Sequence, residues 1–165
     1  MKNPISDKVL KEAAEKGMDA FLQVFIDNYK EVTNGVVNAD TMAMLNAWQL
    51  TLLGYDILRE EINEGGFVQL IQNGYGPFFF RNPFAKAVKQ MGCKVLADIV
   101  YDAARIYTTH QDDLERERTD EEFMAMYEQY EEFDSLEESF MEQQEEITAT
   151  LAQYVDEHID DFVAR

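Results

Sequence analysis

Residues 38–62 read NADTMAMLNAWQLTLLGYDILREEI, and the spacing of their apolar side chains decides the fold class. Met42, Leu45, Trp48, Leu52, Tyr55, Leu58 and Ile62 recur every three or four residues, which lays one apolar stripe along a helix. Asn38 stands where such a helix needs a cap for its free amides.

Outward from this stretch the same period returns. Ser6 caps a first helix that runs to about Gly17, and a second carries Phe21, Val24, Phe25 and Val32 before ending at Asn34-Gly35. Gly65 and Gly66 end the long helix and allow a sharp turn into a short one through Phe67, Leu70 and Ile71, which stops at Asn73-Gly74. Asn82-Pro83 reads as a cap and first-turn proline for a helix that closes at Gly92. A further helix, from about Lys94 to Tyr107, turns Leu96, Val100, Ala103, Ala104 and Tyr107 inward. Two capping boxes follow, Thr119-x-x-Glu122 and Ser135-x-x-Glu138. The second opens a final helix with Leu136, Phe140, Ile147, Leu151, Tyr154, Val155, Ile159 and Phe162 on one seam. The expected fold is all-α: a single compact domain over residues 1–165, with about seven to eight helices and a long acidic C-terminal helix.

Charge is spread unevenly along this chain. The net −19 divides into −3 over residues 1–60, +1 over 61–110 and −17 over 111–165. Aromatic side chains are interleaved with the acids, as in EEFMAMYEQYEEFDSLEESFMEQQEE (121–146), so the charge belongs to folded helices and not to a disordered tail. Solvated helix faces normally alternate sign, whereas Glu128/Glu132, Glu138/Glu142 and Glu142/Glu146 are like-charged four residues apart, at a cost of about 0.2–0.5 kcal/mol each. A surface that bears this repulsion points to a use for its field.

Several functions are excluded by the residues present. Nucleic acid and anionic membranes are bound through clustered Lys and Arg, which the acidic third lacks, so a basic protein or a cation is the fitting partner. No glycine-rich phosphate loop precedes a Lys-Ser or Lys-Thr pair. Neither His110 nor His158 has the Glu three residues earlier that a di-iron bundle site requires. DDLERERTDEEF, from Asp112, has no glycine at the sixth place of a calcium loop. No cofactor, metal or enzymatic activity is expected. The longest apolar region, LNAWQLTLLGYDIL, is interrupted and too short to span a bilayer. With one cysteine, Cys93, and an N-terminal stretch lacking a signal peptide's apolar core, a cytoplasmic location is expected.

EGGFVQLIQNGYG (64–76) and KAVKQMGCKVLADIVYDAARIY (86–107) resemble the GGF-x-Q-x-x-x-N-x-x-G pattern and following helix of an all-helical bacterial domain family, otherwise of unknown function, that includes acidic DNA mimics of the neisserial type. Gly65, Gly66, Phe67, Gln69, Asn73 and Gly76 match it, and Met91-Gly92-Cys93 stands where Ile-Gly-Ala is usual. Residues 40–108 form the recognisable family core and 111–165 the acidic helices. The resemblance implies surface carboxylates that imitate duplex phosphates and occupy the DNA-binding face of a helix-turn-helix transcription factor, keeping it off its operator.

The expected partner-binding residues are therefore Asp112, Asp113, Glu115, Glu117, Glu128, Glu131, Glu132, Glu137, Glu138, Glu142, Glu145, Glu146, Asp156, Glu157, Asp160 and Asp161. Nine of these, from Glu137 to Asp161, would lie along one helical rod about 36 Å long. That length is close to the roughly 34 Å between the recognition elements of a dimeric helix-turn-helix protein. A second subunit in a homodimer would raise the charge density toward that of a duplex. The alternative expectation is a helical interaction or scaffold domain that binds through an apolar groove near Phe78, Phe79 and Phe80, its acidity serving solubility.

Overall fold

The computed structural model describes residues 5–163, among which no strand occurs. Ten α-helices follow one another: α1 (Asp7–Lys16), α2 (Met18–Thr33), α3 (Ala39–Met42), α4 (Ala47–Gln72), α5 (Gly76–Phe80), α6 (Phe84–Gln90), α7 (Lys94–Glu115), α8 (Asp120–Gln129), α9 (Asp134–Glu157) and α10 (Ile159–Val163). A 3-10 turn, Glu131–Phe133, joins α8 to α9. The all-α expectation holds, with more helices than expected because several are short.

Local chemistry explains the extra breaks. The Asn38 cap forms, with Asn38 and Thr41 exchanging side-chain-to-backbone bonds, but it opens only the four-residue α3. A second reciprocal pair, Asn46 Oδ1 accepting from the Gln49 amide at 2.8 Å and Gln49 Oε1 from the Asn46 amide at 3.0 Å, restarts the chain as α4. The expected helix from Asn38 is thus two. Asn82 does not cap α6: its amide donates to Pro77 O, and Pro83 holds the cap position. The Ser135 capping box does not form either, because Asp134 is already helical where the 3-10 turn meets α9 and Ser135 falls inside the first turn.

The final helix breaks at His158. Its Nδ1 lies 2.9 Å from Tyr154 O, the carbonyl a continuing α-helix would give to the His158 amide, and that amide turns to Val155 O instead. The 36 Å rod expected to reach Asp161 therefore ends at Glu157, and Asp160 and Asp161 sit on the separate α10.

Contacts group the chain into two units. The first comprises the described residues up to Asp56 and from Glu145 onward. Leu22, Phe25, Ile26 and Tyr29 of α2, Leu52 and Tyr55 of α4, Leu151 and Val155 of α9 and Phe162 of α10 form its core. Its short last helix is held by side chains that satisfy carbonyls otherwise left open: Tyr29 and Gln49 donate to Phe162 O and Asn46 to Asp161 O.

The second unit runs from Ile57 to Gln144. Here α5, α6 and α7 pack on one another, burying Phe79, Phe84, Val88, Leu96, Val100 and Tyr107. Phe79 is 1 % exposed and meets Phe84 edge-on with ring centroids 4.9 Å apart. The middle ring of the expected apolar groove is therefore core, and Phe78 and Phe80 beside it are only partly exposed.

Candidate functional site

Within the second unit, the acidic segment begins on α7, which runs two turns beyond the expected Tyr107 and is irregular only at His110. Gln72 Nε2 donates to Leu114 O and Arg116 O and so fastens the end of this helix. The Arg118 side chain is 1 % exposed; it donates to Asp113 O and pairs with the Asp113 carboxylate at 3.0 Å, while its buried Nε has no partner. The Tyr130 hydroxyl donates to the same carboxylate. That hydrogen bond, then the two arginines, hold Asp113 below the usual aspartate range. Burial, then the carboxylates they meet, push Tyr130 and Tyr107 each up to about 12, Tyr107 donating to Glu115 at 2.5 Å.

α8 opens with the expected capping box, both halves present between Thr119 and Glu122. Met126, Tyr130, Phe133 and Phe140 turn inward, while Glu128, Glu131, Glu132, Glu138 and, just beyond Phe140, Glu142 are exposed. Because α8 stops at Gln129, Glu128 and Glu132 do not share a helix face as their spacing suggested; Glu132 lies 3.9 Å from His110 Nε2. Glu138, Glu142 and Glu146 do fall on the one helix α9.

Glu137 departs from the expectation. Its carboxylate is half-buried and accepts the Phe67 amide at 2.7 Å, while nearby Tyr127 donates to Gly65 O at 2.8 Å. This acid serves the Gly65-Gly66-Phe67 corner. Burial is the main cause that raises its pKa, outweighing the Phe67 bond, which lowers it. A carboxyl whose folded pKa lies above its unfolded value lowers stability as pH rises through that interval. Glu137→Gln keeps an acceptor for Phe67 and sheds the charge. Thermal melts between about pH 4 and 7 should show this variant melting above the native chain at neutral pH, the gap closing as pH falls below the ordinary glutamate pKa of about 4.3.

Fifteen of the sixteen expected residues are exposed, all but Glu137. Asp113, Glu115 and Glu132 have the partners described above. Among the described residues nothing engages the carboxylates of Asp112, Glu117, Glu128, Glu131, Glu138 or Glu142 in the second unit. The same holds for Glu145, Glu146, Asp156, Glu157, Asp160 and Asp161 in the first. Asp120, Glu121 and Asp134, outside the expected set, are exposed too, in the first turns of α8 and α9, where the helix dipole favours anions. No group of three or more His, Cys, Asp or Glu among the described residues could hold a metal ion. No described helix is long and apolar enough to cross a membrane.

The glycine corner shows what the central motif does. Gly66 adopts φ 76 and ψ −171 inside α4, and the chain doubles back there. Asn73 and Gln69 both donate to the buried carboxylate of Glu61, at 2.7 and 2.8 Å. Glu61 and Asn73 would be about 18 Å apart along a straight helix, so the bond records the reversal. Gly76 lies under Tyr107, whose ring leaves no room for a Cβ. The same residues over residues 43–158 match a family model described as DMP19-like protein. The chain belongs to the DMP19-like family. The match to that family spans both the motif corner and every exposed acid from Asp112 to Glu157, a wider reach than the motif-bearing residues 40–108. One relative of the DMP19-like chain is the DNA mimic protein DMP19 of Neisseria meningitidis serogroup B, 27 % identical over 144 residues that make up 87 % of each chain.

Proposed function

We propose that this protein is a DNA mimic that binds the DNA-binding face of a helix-turn-helix transcription regulator in the cytoplasm and keeps it off its operator. The observation that carries this reading is the set of exposed carboxylates from Asp112 to Asp161, most without a basic partner, held on ordered helices in a member of the DMP19-like family. Similarity to the neisserial DNA mimic protein supports it. Such carboxylates would engage the Lys and Arg that position a DNA-binding protein on phosphates, with no base readout. The role is one of binding and asks for no catalysis.

Chromatography of native extract on the immobilised chain at low salt, with a salt gradient for elution, supplies the test. Each DNA-binding protein recovered is then mixed with its own labelled DNA and increasing amounts of the chain in a gel shift. The expected result is release of the DNA at near-stoichiometric chain, with weakening as salt screens the attraction. Recovered proteins that all keep their DNA in excess chain would overturn the reading.

A further inference from the structure

The first unit carries an open groove of about 370 Å³ that the charge reading leaves unused. Ala14 of α1, Gly17, Met18 and Phe21 of the α1–α2 junction, and Ala152, Gln153 and Asp156 of α9 line it. The space exists because Ala14, Gly17 and Ala152 are small. Its floor is apolar, with Phe21 and Ala152 buried, and Met18 forms an apolar wall 55 % exposed. Its volume lies at the small end of the range of ligand clefts, roughly 300–1,000 Å³.

Charge tells what kind of partner would cover it. Asp156, exposed on α9, is the charged residue of the lining. The groove thus sets a carboxylate at the edge of an apolar floor. Duplex DNA presents the same combination to a reading helix, phosphates at the edges and apolar thymine methyls between them. Charge alone would attract any basic protein equally, whereas an apolar pocket beside a carboxylate selects a basic helix that also projects an apolar side chain.

We propose that this groove receives an aliphatic side chain from a basic partner helix, with Asp156 pairing a Lys or Arg beside it. The proposal rests on the reading that the partner is a basic DNA-binding protein, and adds the feature by which one such protein is preferred.

The probe is a synthetic Lys- and Arg-rich helical peptide with one central Leu, paired with its Leu→Ala analogue. Each is titrated by fluorescence anisotropy against the full chain at about 50 and 200 mM salt, a range over which electrostatic binding changes strongly. The Leu peptide should bind about fivefold tighter than the Ala peptide, as partial burial of a leucine predicts. Met18→Ser, at an exposed position, should abolish that preference and leave the salt dependence as it was. Asp156→Asn should weaken both peptides and flatten their salt dependence. Equal binding of the two peptides to the native chain, or a preference unchanged in Met18→Ser, would overturn the groove. A chain that prefers the Leu peptide yet displaces no DNA in the gel shift would refute the DNA-mimic reading while leaving the groove standing.

Discussion

Replacing Glu138 and Glu146 together by Lys is expected to make the protein more stable and a worse binder at once. In the native α9, Glu142 stands four residues from an acid on either side, and none of the three has a basic partner among the described residues. The double variant turns both repulsions into Lys–Glu attractions. Two repulsions removed and two attractions gained, at about 0.2–0.5 kcal/mol each, add about 1–2 kcal/mol of stability. A protein of this size should then melt roughly 2–8 °C higher. If the carboxylates meet a basic protein, the same change costs two attractions and introduces two repulsions, and affinity for a recovered DNA-binding protein should fall roughly thirtyfold at low salt. The two readouts move in opposite directions, so loss of fold cannot explain loss of binding. Unchanged affinity would mean that this stretch of α9 is not part of the surface.

The second large effect is expected at the glycine corner. Gly66, at φ 76 and ψ −171, occupies a backbone region open essentially to glycine alone, where another residue is strained by about 1–3 kcal/mol. A Cβ there would also run into the carboxylate of Glu137. Moving that carboxylate leaves the Phe67 amide, which it now accepts, without a partner at a cost of about 1–3 kcal/mol. Gly66→Ala should therefore lose about 3 kcal/mol or more, a drop in melting temperature of roughly 6–12 °C. Gly74→Ala serves as the control: its φ is 90, but nothing lies within 4 Å of the added carbon, so it carries strain without collision. If the two variants melted alike, the contact between Glu137 and the corner would contribute nothing to stability.

Much of this architecture was legible in the residues. Ser6, Asn34-Gly35, Gly65-Gly66 and Thr119-x-x-Glu122 mark the helix boundaries where the structure has them, because caps and left-handed glycines act within a few residues of themselves. The misreadings are local rules overridden or overlooked. Asn46-x-x-Gln49 is a capping box visible in the sequence, hidden because Met42, Leu45 and Trp48 keep a helical period across the break. Ser135-x-x-Glu138 is a capping box in composition only, since the chain entering it is already helical. Glu137, three residues before the buried Phe140, borders the apolar seam, which was the available sign that it turns inward.

The residue pattern by itself determined that this chain is helical, that its negative charge rides on helices, and that a Gly-Gly-Phe corner lies at its centre. Those properties follow from side-chain period and backbone preference, which are set over one or two turns. Which carboxylates are free to meet a partner was decided only by tertiary structure. Glu137 is claimed by Phe67, 70 residues away in sequence, and Asp113 by Tyr130 from the far end of α8, while Glu138 and Glu142 are left to water. A carboxylate's availability depends on what other helices place against it, and that placement is a property of packing across the whole unit.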